Sequence, residues 1–161
     1  MDDLAFDAPR IQERPLVLDE LLVPARDDCG ALAIFAGTVR NHHDGKPVTH
    51  LIYTAHVRLA DKMIRAIEQE IGMRHGVPLC RVVHRIGRLA IGEVAIYAVV
   101  RAPHRAEAFA ALRAAVDAVK HRVPIWKEEF YADGTSAFVT GCCIAEPEAA
   151  AHGDAHHSHS H

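Results

Sequence analysis

The stretch LCRVVHRIGRLAIGEVAIYAVVRAPHRAEAF, residues 79–109, sets two Val- and Ile-rich runs on either side of an IGE turn and then breaks at a proline. Branched apolar residues at that density suit strands buried on both faces, and a short Gly-containing turn between them predicts a hairpin. Pro103 is suited to the first turn of a helix, where its missing N–H costs nothing. The helix it opens carries Phe109, Leu112, Val116, Val119 and Val123 as an expected apolar stripe and ends at Pro124.

Upstream, GALAIFAGTVRNH (30–42) reads as a strand that places Arg40 at its end, before the polar turn NHHDGKP. VTHLIYTAH (48–56) reads as a second strand. A helix follows over roughly 58–75, in which Leu59, Met63, Ile67 and Ile71 recur every four residues until Gly76 and Pro78 stop it. PLVLDELLVPA (15–25) is a short strand or helix. Downstream, PIWKEEFYADG turns back as a strand and SAFVTG offers another. Strand-rich hairpins interrupted by two long helices predict an α+β domain of two layers, with the helices on a mainly antiparallel sheet.

The chain has 161 residues, half of them apolar, and a formal charge of -3, which fits one domain with a sizeable core. With 18 Lys and Arg against 21 Asp and Glu, no global positive field points to nucleic acid or to an anionic membrane, so any anion site is local. The acidic opening MDDLAFDAPRIQERP lacks a basic n-region, and no segment reaches the roughly 20 apolar residues of a membrane span, so a cytoplasmic location is expected. Cys29, Cys80, Cys142 and Cys143 show no CxxC pair and read as reduced thiols. Five of the 13 histidines fall in the last ten residues, HGDAHHSHSH. That tail reads as disordered, with adventitious transition-metal binding or an inert terminus as its alternatives and no metal site elsewhere.

DAVKHRVPIWKEEF (117–130) raises the chemical question, because it holds two lysines seven apart across a proline in an otherwise apolar segment. Lys120 leaves the helix at the margin of the buried stripe. Taken alone it reads as a snorkelling lysine, its stem on apolar surface and its ammonium in water. Lys127 follows in the strand that Pro124 starts, and the chain reversal brings its ammonium back toward the last helical turn, an arrangement suited to proton transfer. At the helix's other end, His104 and Arg105 sit beside the free N–H groups of its N-terminus and suit a phosphate; the plain reading is a cap and a surface ion pair. Fifteen residues of helix separate Arg105 from Lys120 by roughly 22 Å. If both groups serve one substrate, a twofold dimer is the simplest geometry, one copy completing the other's pocket.

At these residues the chain resembles the large, catalytic subunit of molybdopterin synthase. GALAIFAGTVRNH, VVHRIGRLAIGE, APHRAEAF and VPIWKEE resemble that family's hallmark segments in the family's order, over about Gly30 to Gly134. The resemblance implies an α/β hammerhead fold and a central homodimer with one small subunit at each end, a heterotetramer. It also implies a sulfurtransferase activity of molybdenum cofactor biosynthesis. A small ubiquitin-like carrier delivers sulfur as a C-terminal glycine thiocarboxylate, and two deliveries convert cyclic pyranopterin monophosphate into the dithiolene of molybdopterin. By motif, Lys120 and Lys127 correspond to the family's essential lysine pair, and Arg40 to the arginine of its VRNH segment. His104 and Arg105 correspond to its substrate-binding pair, donated across the dimer. No cysteine nucleophile and no resident cofactor are required, because sulfur arrives on the partner.

The chain departs from the family pattern in three places. LIYTAH stands where the family reads close to LEYEAY, so Ile52, Thr54 and His56 replace two acidic residues and an aromatic. Ala137 or Phe138 stands for an expected tryptophan, and no Lys or Arg follows Lys127. These departures leave an alternative: a catalytically silent relative that binds a sulfur carrier or phosphorylated ligand without turnover. The expected organisation is a flexible acidic lead (1–14), one synthase large-subunit-like domain (15–144) and the His-rich tail (145–161).

Overall fold

The structure is a computed structural model that describes residues 6–139. Two sheets and two long helices build it. The first sheet runs β1 (Ile11–Gln12), β5 (Leu79–Arg85), β7 (Val94–Ala102), β2 (Ala31–Thr38) in spatial order, antiparallel except for the β1–β5 pair. The second runs β3 (His42–His43), β4 (Lys46–Ala55), β8 (Ile125–Tyr131), β9 (Ser136–Val139), and β6 (Gly87–Ala90) also pairs with β4. α1 (Asp19–Leu22) is a single turn, whereas α2 (Val57–His75) and α3 (Arg105–Arg122) lie against each other and against the first sheet. A mixed α+β fold with mainly antiparallel sheets is the class expected. Among the described residues no helix is long and apolar enough to cross a membrane.

The hairpin is present but splits. β5 pairs antiparallel with β7 from Leu79 opposite Arg101 to His84 opposite Ile96. After Ile86 the chain turns at Gly87, whose φ of 94° is open to glycine and strained for other residues, and β6 crosses to the second sheet. One run of sequence, 79–90, therefore serves both sheets where a single strand was expected.

Both helix stripes differ from the expected ones. α2 buries Ala60, Ile64, Ile67 and Ile71, while Leu59 is 44% exposed. α3 buries Ala108, Ala111, Ala115, Val116, Ala118 and Val119, leaving Phe109 65% exposed. Small side chains let the helix axis approach the sheet closely, so packing selects the alanine face over the one with the largest apolar residues. Lys120 still emerges at the edge of that face, half-buried.

The lead is anchored within the stretch read as flexible. Ile11 and Gln12 extend the first sheet, and the Arg10 and Gln12 carbonyls accept from the His84 and Ile86 N–H groups at 2.7 and 2.9 Å. Arg10 is itself buried. Its guanidinium makes a bidentate bridge to Glu68 of α2, with Nη2 2.7 Å from Oε1 and Nε 2.9 Å from Oε2. Its Nη1 donates to the carbonyls of Phe6 and Ala8. Composition alone could not foresee a pairing across 58 residues. Cys29 and Cys80 are free thiols; Cys142, Cys143 and the His-rich tail lie outside the described residues.

Candidate active site

Where the two sheets meet, a cleft of about 770 Å³ gathers Arg40, Lys120 and Lys127. Each arrives by a different route. Arg40 stands two residues past the end of β2, exposed at the rim. Lys120 leaves the last turn of α3, its Nζ 5.9 Å from the centroid of the Phe35 ring, within reach of a cation–π attraction. Lys127 is the third residue of β8, opposite Tyr53 of β4. Pro124 makes this possible, since it ends the helix and releases the chain into the strand. The two lysines across the proline thus share one wall of the cleft, as the sequence implied.

A carboxylate that the sequence reading passed over organises this wall. Glu129 is 5% exposed, and its Oε2 accepts hydrogen bonds from the Tyr131 hydroxyl at 3.0 Å and from His43 Nδ1 at 2.8 Å. Its Oε1 lies 3.7 Å from Lys127 Nζ. Residues two apart on a strand share a face, so WKEEF already paired Lys127 with Glu129. That signal was legible in the spacing alone.

His84 was also missed. It is 7% exposed, the last but one residue of β5, and lines the cleft together with Lys120, Lys127 and Tyr53. Its Nδ1 lies 2.7 Å from the Arg85 carbonyl oxygen, which can only accept, so Nδ1 carries the ring proton. Burial, with smaller contributions from the charges of Lys120 and Lys127, pulls its pKa down to about 4, and the ring is neutral at pH 7. Its only sequence signal was a polar residue within an apolar run.

His104 and Arg105 do not join the cleft. They sit exposed at the opposite end of α3, roughly 22 Å away along the axis. His104 occupies the N-cap position without a side-chain capping bond, and among the described residues Arg105 makes no ion pair, so neither plain reading of the pair holds. The departures in LIYTAH fall outside the cleft walls. Leu51 and Tyr53 face the cleft, and strand alternation turns Ile52 and Thr54 to the other face of β4. Cys80 offers no rival nucleophile, because burial pushes its thiol up to about 12. Among the described residues no group of three or more His, Cys, Asp or Glu is placed to hold a metal ion.

The chain is similar to known proteins over most of its length. The family model described as "MoaE protein" matches residues 11–122. The molybdopterin synthase catalytic subunit of Nostoc sp. is 43% identical over 142 residues, covering 85% of this chain and 85% of the relative. The crystal structure of molybdopterin synthase from Staphylococcus aureus superposes with a TM-score of 0.76 at 31% identity, covering 81% of this chain and 95% of that one. A Helicobacter pylori structure, the complex of subunits 1 and 2 of molybdopterin-converting factor, shares the fold at a TM-score of 0.64 and 21% identity, over 81% and 88% of the two chains. From the ordered motifs, the two-sheet fold and these matches together, the chain belongs to the MoaE protein family, the enzyme family of the molybdopterin synthase catalytic subunits.

Proposed function

We propose that this chain transfers sulfur from the C-terminal thiocarboxylate of a small ubiquitin-like carrier subunit to cyclic pyranopterin monophosphate, forming the molybdopterin dithiolene. The observation that carries this reading is the convergence of Arg40, Lys120 and Lys127 on one cleft. Substrate phosphate and incoming thiocarboxylate are both anions, and opening the phosphate ring develops more negative charge, which fixed cations stabilise without reorganising. Lys120 moves a proton at the reacting carbon, and Lys127, steadied by Glu129, holds the thiocarboxylate. Each delivery forms a carbon–sulfur bond while a carbon–oxygen bond of the substrate breaks, one releasing the ring phosphate oxygen and the other releasing the oxygen as water. Water then cleaves the acyl–sulfur bond, leaving sulfur on the pterin and a carboxylate on the carrier. The sequence of bonds balances without a resident cofactor.

His104 and Arg105 complete the pocket of a second copy across a twofold dimer, with a carrier at each end of a cytoplasmic heterotetramer. Their distance from the lysines supports that arrangement, and the H. pylori structure is itself a two-subunit complex. The purified chain, mixed with cyclic pyranopterin monophosphate and a thiocarboxylated small subunit, should yield dithiolene. A chain that binds both partners yet makes none, where a reference synthase succeeds, is the silent relative.

A further inference from the structure

The cations account for how the cleft holds anions and leave the imidazole that shares their pocket unexplained. His84 is a polar side chain more than nine-tenths buried, yet it lies on the cleft wall. Its Nδ1–H is committed to the Arg85 carbonyl and its backbone N–H to the Arg10 carbonyl. Nε2 has no hydrogen-bond partner among the described residues, and it is not one of the sealed polar atoms left without one, which are Gln12 Oε1, Arg85 Nε and Arg101 Nε. It therefore opens on the cleft. The groups facing it are Lys120 from α3, Lys127 from β8 and Tyr53 from β4, whose ring meets the imidazole edge-on with centroids 4.9 Å apart.

We infer that His84 is a further binding residue of this site, its Nε2 accepting a hydrogen bond from an N–H or O–H of the substrate while the cations hold the phosphate. The inference rests on the sulfur-transfer reading and adds to it a requirement on the ligand: an anionic group and, within the same small heterocycle, a donor hydrogen. A pterin and its hydroxyl-bearing ring supply such donors. An acceptor among ammonium groups is useful only if it stays unprotonated, and the burial of this ring and its cationic neighbours keep it so. A neutral acceptor also discriminates by chemistry the cations cannot read, since they bind any phosphate alike.

Two substitutions separate the ring's nitrogens. His84→Asn keeps an N–H at the Nδ1 position for the Arg85 carbonyl and removes the acceptor, whereas His84→Gln places a carboxamide near the Nε2 position. In the assembled complex, His84→Asn should raise KM for cyclic pyranopterin monophosphate about tenfold with kcat little changed, and His84→Gln should recover part of the loss. Equal impairment of the two variants, or an unaltered KM in His84→Asn, overturns the inference in favour of a structural role. On the wild type, the ¹⁵N resonance of His84 Nε2 should report an unprotonated nitrogen at neutral pH and move when cyclic pyranopterin monophosphate is added. Movement without dithiolene formation supports the inference while refuting the catalytic reading. Dithiolene formation with the resonance unmoved refutes the inference alone.

Discussion

Two charged clusters in this molecule use the same side-chain chemistry to opposite ends. Arg10 and Glu68 are both buried, and between them every strong donor and acceptor finds a partner: the carboxylate takes the guanidinium and the Val82 N–H, and the guanidinium takes two carbonyls besides. Burial pushes the Glu68 carboxyl up against the downward pull of Arg10, so this pair locates α2 and the lead on β5 more than it stabilises them. In the cleft, Arg40, Lys120 and Lys127 share the wall with Glu129, its buried carboxylate among the described residues. A charge balanced within the fold fixes geometry. Cations gathered on one wall by helix and strand are placed to meet an anionic ligand.

The sharpest way to break this contrast is to remove a charge from each cluster and ask which property falls. Lys120→Ala should slow dithiolene formation by about 10²–10⁴-fold while the melting temperature stays close to that of the wild type. Arg10→Met should do the reverse, costing about 3–5 kcal/mol in a urea titration by stranding the Glu68 carboxylate, with little change in the turnover of the protein that remains folded. The double replacement Arg10→Met with Glu68→Leu should regain only part of that stability, because it removes the stranded charge but leaves the Val82 N–H without its acceptor.

His84 sharpens the comparison through pH. The unfolded chain protonates this ring near pH 6.5, the folded chain only at about pH 4, so its contribution is complete above 6.5 and is lost as pH falls toward 4. Over that interval the wild type should lose about 3 kcal/mol that His84→Asn does not, read from denaturation midpoints at each pH. The smallest effect belongs to a residue the sequence placed in the core. Phe109→Ser should change monomer stability by under about 0.5 kcal/mol, since the ring is already in solvent; a loss of several kcal/mol would restore the expected stripe.

What the sequence disclosed was local or carried by motif. The strands, the two helices, their stops at Gly76 and Pro124, and the return of Lys127 toward Lys120 follow from periodicity and from proline chemistry. The resemblance added Arg40, which the cleft includes. Packing decisions stayed hidden. That α3 buries alanines and not Phe109 depends on how near the sheet lies, and the Arg10–Glu68 pair depends on a contact 58 residues long. Glu129 was legible in the two-residue spacing from Lys127 and was passed over, whereas a histidine in an apolar run such as His84 gives little signal until the opposing wall is known.

The departure of β6 from β5 at Gly87 gives the pocket a mechanical character. Its two sides are tied by one unbroken length of main chain, as a strut ties two beams, and not by a hinge between separate bodies. Such a tie couples the two walls: a shift of one sheet is passed along the main chain to the other.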